Sequence, residues 1–174
     1  VLGFYAAWVL VFAAITGIIW TFDRAADAEY WLASGGKEMP EYPNPVAKKQ
    51  PGNTLVLNGI DSVFNARLQQ YNNPYLASVR FPENDSAAFN ISFYPYKRYY
   101  DNDDFYFNQY TFSEIPVAAF GKYADANGGE KLSRMNFDIH IGNIIGLPGR
   151  IAMFLAVLIG ASLPVTGFYI WWGR

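Results

Sequence analysis

The chain has 174 residues and contains no cysteine and a single histidine. Without cysteine it cannot form a disulfide bond, ligate an iron–sulfur cluster or build a thiolate metal site. It also shows no Ser/His/Asp or Cys/His nucleophile set, no H-E-x-x-H sequence and no phosphate-binding loop. Hydrolysis and phosphoryl transfer by this chain are therefore not expected.

Charge is missing from two long segments, residues 1–22 and 151–172. A helix rises about 1.5 Å per residue, so each segment is long enough to cross a hydrocarbon core roughly 30 Å thick. Aromatic rings, which favour the headgroup zone, stand at their ends, among them Trp20 and Trp172. The alternative is a buried core helix of a soluble protein, but two uncharged helices at the ends of one chain are hard to bury. Both segments are predicted to be transmembrane helices, with the lipid bilayer as a partner.

The charged residues are concentrated between these segments. All 15 acidic residues lie within 23–138, and the basic residues within it form no patch of the kind that binds nucleic acid. Arg174, which follows the second segment, predicts a cytoplasmic C-terminus. Two crossings then place the middle domain in the periplasm and make the chain a multi-pass protein of the inner membrane.

The middle region has the pattern of a small α+β module. Residues 23–50 have the glycine and proline content of a linker, with one short helix near 25–33. A β-rich run at 54–57 precedes a segment with helical spacing of apolar residues at 61–70. Three strands are then predicted, at 77–81, 89–94 and 105–110.

The second and third strands are predicted to be adjacent and antiparallel, joined across an acidic turn at 101–104. Its alternating carboxylates allow a calcium-loop interpretation. The glycine bend and the downstream bidentate glutamate of a calcium loop are missing, however. The pattern therefore favours a solvated hairpin loop.

The segment 135–150, M-N-F-D-I-H-I-G-N-I-I-G-L-P-G-R, holds the single histidine, His140. Gly142 and Gly146 follow it at a spacing that lets a neighbouring helix, or a flat macrocycle, approach the backbone. If the segment is helical, these two glycines form a strip without side chains. An imidazole at the membrane face beside small residues is what an axial haem ligand needs. The alternative is an ordinary polar residue at the interface.

Three parts of the sequence resemble PepSY-associated transmembrane proteins. The stretch D-I-H-I-G-N-I-I-G-L-P-G-R, with the apolar helix that ends in P-V-T-G-F-Y-I-W-W-G-R, resembles the last helix of this family. The N-terminal G-F-Y-A-A-W and I-T-G-I-I-W-T-F resemble an earlier helix, and the part with F-Y-F-N-Q-Y-T resembles a PepSY-like lobe. The two T-G pairs, at 16–17 and 166–167, predict an antiparallel helix pair. The chain departs from the family pattern at Asn108 and Phe112, where the lobe usually has Asp and Gly.

The resemblance implies a haem-bearing protein, similar to ferrisiderophore reductases, that passes electrons across the inner membrane to a periplasmic ferric chelate. It makes His140 an axial ligand of the iron of haem b, with Gly142 and Gly146 beside the macrocycle and Arg150 or Arg134 pairing a propionate. A bis-histidine haem needs two imidazoles, so the second must come from outside this chain.

The chain accordingly resembles the C-terminal half of a longer protein, and the missing N-terminal half or a partner membrane subunit would supply the other ligand. A ferric siderophore is the implied substrate, and a membrane ferric reductase is the implied enzyme class. The alternative function is a non-enzymatic membrane subunit whose PepSY-like domain binds or stabilises a periplasmic or membrane protein complex.

The sequence thus predicts a membrane α+β protein, in which two transmembrane helices flank a small periplasmic domain made of a helix and an antiparallel meander. The predicted parts are a transmembrane helix (1–22), a periplasmic PepSY-like domain (23–138), an interfacial His/Gly segment (139–150) and a transmembrane helix (151–172).

Overall fold

The computed structural model describes residues 2–48 and 57–173. Its longest helices are α1, Leu2–Thr21, and α5, Leu147–Trp172. Both are long and apolar enough to cross a membrane, with a mean hydropathy of 2.1 in each. They confirm the two predicted spans, although the second helix begins at Leu147 rather than at 151.

The two long helices pack against each other in antiparallel directions, as predicted. Gly3 faces Leu163, whereas Leu10 faces Gly160. Residue numbers therefore rise along α1 in the direction in which they fall along α5. A Cβ on Gly160 would lie 3.0 Å from the side chain of Leu10, which explains the small residue there. The other apolar side chains of these helices point mostly outward, as a lipid-facing surface requires.

A second helix, α2, Asp23–Ser34, follows α1 after a break at Phe22 and includes the short helix predicted at 25–33. It ends at Gly35, whose φ of 75° is a left-handed conformation that glycine adopts without strain. Beyond it the chain has no regular secondary structure up to Val46, which forms an isolated antiparallel bridge with Ala87.

The helix α4, Gly128–His140, packs along α2 and was not predicted. The side chain of Asn127 caps its N-terminus by accepting a hydrogen bond from the backbone N–H of Glu130. A Cβ on Gly128 would overlap the carbonyl oxygen of Ala33, so the close approach of the two helices requires glycine there.

The remaining elements form the lobe, which comprises residues 57–127. They are α3, Leu57–Leu68, and four strands: β1, Leu76–Arg80; β2, Phe89–Tyr94; β3, Asp103–Phe107; β4, Glu114–Ile115. The sheet is antiparallel in the order β1-β2-β3-β4, which confirms the predicted meander and the pairing of its second and third strands. The two-residue strand β4 was missed. The predicted β-rich run at 54–57 lies outside the described residues except for Leu57, which begins α3.

The lobe has one apolar core, between α3 and one face of the sheet. Alternate residues of β2 and β3 point into it, as the period of two in a strand requires. Tyr71 closes one side, with its ring stacked on Phe93 at a centroid distance of 4.4 Å. The fully buried members of the core are Ile60, Phe89, Ile91, Phe93, Phe105 and Phe107.

The carboxyl groups of the acidic turn are engaged within the protein. Asp103 lies on the core face of the sheet, beside Tyr71, and Asp104 lies on the opposite, polar face. Asp101 is buried, and Asp103 accepts hydrogen bonds from the Tyr71 hydroxyl (2.6 Å) and the Tyr123 backbone N–H (2.8 Å). Asp104 accepts hydrogen bonds from the side chains of Ser92 and Asn102. The prediction of a solvated hairpin loop is therefore wrong: two of these carboxyl groups lie in β3, and their hydrogen bonds tie the sheet together.

Candidate functional site

The single histidine ends α4 and contacts α1. Its Nδ1 lies 2.8 Å from the hydroxyl oxygen of Thr16, and its ring lies 4.9 Å from that of Trp20, at 42°. The hydroxyl of Thr16 also lies within hydrogen-bond distance of the carbonyl oxygens of Phe12 (2.9 Å) and Ala13 (3.1 Å), to which it can donate. The hydrogen bond between Thr16 and Nδ1 orients the ring, and the tautomer of the imidazole decides which of the two groups donates. Within the described part of the chain, Nε2 has no hydrogen-bond partner.

Next comes a tight turn, residues 141–146, which we call the histidine turn. Gly142 has a φ of 73° and Gly146 a φ of 72°, with a short 3-10 helix, Asn143–Ile145, between them. The two glycines therefore belong to a turn and do not form the helical strip that their spacing suggested. A side chain on Gly146 would meet nothing within 4 Å, so its conformation explains the glycine.

Gly142 and Gly149 pack so closely that neither position has room for a side chain. A Cβ on Gly149 would overlap the carbonyl oxygen of Gly142, and a Cβ on Gly142 would overlap that of Gly149. The missing side chains thus let the histidine turn lie directly on the first turn of α5. The close contact is backbone to backbone.

Asp138, two residues before the histidine, anchors the lobe to this region. It is fully buried, and its Oδ2 accepts hydrogen bonds from the backbone N–H groups of Tyr99 (2.8 Å) and Tyr100 (3.0 Å). Its Oδ1 accepts one from the amide of Asn143, which also donates to the carbonyl oxygen of Lys97 (3.1 Å). We call these contacts the Asp138 latch. Sequence reasoning missed it, because two of its three partners are backbone N–H groups, which no side-chain pattern marks.

The two arginines considered as propionate partners lie in different surroundings. Arg134 forms an ion pair with Glu130 (2.7 Å) and donates to the carbonyl oxygens of Asn102 (2.8 Å) and Gly121 (3.0 Å). It is thus engaged inside the protein. Arg150 is exposed in the first turn of α5 and lines a small notch that does not include His140.

An apolar groove of about 400 Å³ lies on the membrane side of the histidine turn, between α1 and α5. Its lining is almost wholly apolar and includes Trp8, Phe12, Gly142, Ile145, Gly149 and Met153. The histidine is not part of that lining. The structure therefore brings His140 together with α1, and Gly142 with Gly149, without joining them in one pocket.

The turn after β3 explains the two departures from the family pattern. The side chain of Asn108 accepts hydrogen bonds from the backbone N–H groups of Tyr110 (2.8 Å) and Thr111 (3.2 Å), as an aspartate would. Phe112 has a φ of 58°, a conformation that favours glycine. Its ring occupies the space that a side chain on Gly59 would fill. Packing against α3 thus holds Phe112 in the conformation that a glycine would adopt freely.

Comparison with known proteins gives one result for the whole chain. The family model described as the PepSY-associated TM region matches residues 1–174. No curated protein matches the chain. The chain belongs to the family of the PepSY-associated transmembrane region.

Proposed function

We propose that the chain is part of a haem-bearing inner-membrane protein that passes electrons across the membrane to a periplasmic ferric chelate such as a ferric siderophore. In this proposal His140 is an axial ligand through Nε2. The observation that carries it is the hydrogen bond between Nδ1 and the hydroxyl of Thr16, which leaves Nε2 without a partner among the described residues. Metal-ligating histidines usually donate their second ring N–H to a fixed acceptor, which sets the tautomer and the ring orientation.

The residues present fit one half of a haem site. His140 supplies one imidazole, and the chain has no second histidine. The other ligand is therefore proposed to come from residues beyond this chain, either an N-terminal half or a partner membrane subunit. When bound, the haem iron supplies one-electron chemistry, and the identity and burial of its axial ligands set its potential. The chain's own part is to hold the imidazole at the boundary between α1 and the lobe.

Gly142, Gly146 and Arg150 stay predictions as haem contacts. The same holds for the periplasmic position of the lobe and for the predicted division of the chain at residues 22, 138 and 150. The fold is compatible with that topology, because the lobe joins the end of α1 to the start of α5.

The test is spectroscopic and uses the protein purified with its haem and with all its chains. His140→Ala should remove one haem, seen as a loss of Soret absorbance and of one set of α bands in the reduced-minus-oxidised spectrum. Thr16→Val keeps the imidazole but removes its hydrogen-bond partner. It should keep the haem and weaken its affinity by roughly tenfold to a hundredfold. The matched control is Thr166→Val, the other T-G threonine, which should change neither. Unchanged haem stoichiometry in His140→Ala would defeat the assignment.

The second candidate function is a non-enzymatic membrane subunit whose lobe binds or stabilises a protein complex. The outward apolar faces of α1 and α5 favour it, since they could pack against further helices as well as against lipid. The same spectra distinguish the two candidates: a protein that carries no haem in any preparation supports the subunit function.

A further inference from the structure

A small notch at the junction of the lobe and α5 has the chemistry of an anion site. It has a volume of about 40 Å³, which is room for two or three waters or one compact polar group. Its polar and aromatic lining consists of Tyr75, Tyr94, Lys97, Arg98, Tyr99, Asn143 and Arg150. Three of these seven side chains are cations, and none is an anion.

Within the described part of the chain, two of the cations have no carboxylate partner. Arg98 is neutralised by Asp101, at 3.3 Å. Lys97 lies over the ring of Tyr75, with Nζ 5.5 Å from the ring centroid, and Arg150 is exposed. Across residues 2–48 and 57–173, no carboxylate oxygen lies within 4.0 Å of either. The buried Asp138 lies behind Asn143, and three hydrogen bonds from N–H groups occupy its oxygens.

The two unpaired cations come from distant parts of the sequence and are held together by the latch. The amide of Asn143 donates to the carbonyl oxygen of Lys97, which fixes the loop between β2 and β3 against the histidine turn. Gly149, packed on Gly142, fixes the first turn of α5 beside it. The cations are thus brought close on a rigid frame, although like charges repel.

The position of the notch identifies its occupant. Arg150 lies at the lobe end of a membrane-spanning helix, and the apolar groove begins beside it at Gly149. Two exposed rings of the lining, Tyr75 and Tyr99, favour the headgroup zone, and Phe137 connects Tyr99 (5.1 Å) to Trp20 (6.2 Å). An anion that reaches this site from the bilayer carries its phosphate at the level of the cations and its acyl chains at the level of the apolar helices.

We propose that the notch binds the phosphate of an anionic phospholipid, with Lys97 and Arg150 as its two ligands. Arginine holds phosphate with paired N–H donors, and lysine adds a point charge, so the two side chains complement each other. The bound lipid fills the junction between the lobe and the membrane helices. This proposal does not depend on haem, and it assigns Arg150 to the lipid phosphate in place of a haem propionate.

The experiment is native mass spectrometry of the protein in detergent, titrated with phosphatidylglycerol or with zwitterionic phosphatidylcholine. The wild type should retain phosphatidylglycerol preferentially. Lys97→Gln with Arg150→Gln should weaken that retention by roughly tenfold or more. The matched control is Arg24→Gln with Lys37→Gln, which removes two exposed cations outside the notch, one of them near the end of α1. The control should retain the lipid.

Three outcomes would overturn the proposal. Equal losses in both double variants would show diffuse attraction to the surface. Displacement of the lipid by millimolar inorganic phosphate would show a site for free anions. Loss of haem with unchanged lipid retention would assign Arg150 to a propionate. If the double variant does not fold, Lys97→Gln alone, at an exposed side chain, serves as the test variant and should also weaken retention. Lys97→Arg, which keeps the positive charge, should retain the lipid as the wild type does.

Discussion

The lobe and the helix pair contain similar apolar side chains and place them in opposite ways. Phe93 in β2 is 0% exposed, whereas Phe154 in α5 is 65% exposed in the isolated chain. The lobe buries its aromatic rings against one another and has a core of its own. The helix pair buries mainly small residues, with Met153 as a larger exception, and leaves most of its large side chains outside. Its stability must therefore come from lipid or from other helices. The same kind of side chain thus faces other protein side chains in the lobe, and lipid or further helices in the helix pair.

The largest difference between the two regions is expected when one phenylalanine in each is replaced by alanine. Phe93→Ala should destabilise the lobe by about 3–5 kcal/mol, because it removes a fully packed ring from a core that cannot collapse fully around the cavity. Phe154→Ala should leave lobe stability within about 0.5 kcal/mol. Near-UV circular dichroism during denaturant titration in detergent measures both. Similar losses in the two variants would show that the lobe depends on the outer face of α5.

A smaller effect is expected from two glycines of α5. Gly149→Ala forces a methyl group into the carbonyl oxygen of Gly142, so it should cost about 1–3 kcal/mol and loosen the histidine turn. Gly167→Ala has nothing within 4 Å of the new methyl group and should be tolerated. Amide hydrogen exchange of residues 141–146 reports the difference. Equal exchange in the two variants would mean that the contact between the turn and α5 is not rigid.

The smallest effect concerns the polar face of the sheet. Burial raises the pKa of Asp104 above its ordinary value, against the opposing effect of hydrogen bonds from Ser92 and Asn90. The folded lobe therefore binds the proton more tightly than the unfolded chain, and stability contributed by this group falls as pH rises from the unfolded pKa through the raised one.

Comparison with Asp104→Asn isolates that contribution. The wild type should lose stability relative to the variant as pH rises from about 4 to 7, by less than about 1.4 kcal/mol for each unit of pKa shift. Denaturation midpoints at the two pH values measure it. A difference that does not change with pH would mean that the pKa of Asp104 is the same in both states.

Sequence reasoning located the parts of the fold whose pattern is local. The spans follow from the absence of charge, and β2 follows from its alternation of Phe89, Ile91 and Phe93 with polar residues. The helix α4 was missed because its buried positions include Glu130, Asn136 and Asp138, so polar residues stand where an apolar stripe would be expected. Its apolar residues Leu132, Met135 and Ile139 do recur at helical spacing, and that period is the signal that could have found it.

The sequence drew attention to the central residue of the candidate site but did not predict the residues around it. His140 drew attention as the single histidine beside a membrane segment. Its contact with Thr16 joins residues 124 positions apart, and no local pattern encodes a pairing over that distance. The glycines were noticed for their spacing, but left-handed backbone angles at Gly142 and Gly146 show that a turn explains them. Spacing alone cannot distinguish a glycine that admits a neighbour from one that bends the chain.

The Asp138 latch has a consequence for how the lobe meets other molecules. A domain joined to membrane helices by loose linkers samples many heights and tilts, and it loses that freedom when it binds. Here the chain enters the lobe region through α2, leaves it through α4, and is fixed a third time where Asp138 accepts the N–H groups of Tyr99 and Tyr100. The orientational entropy is thus lost during folding rather than during association. Any partner therefore meets a preorganised surface at a set height above the bilayer.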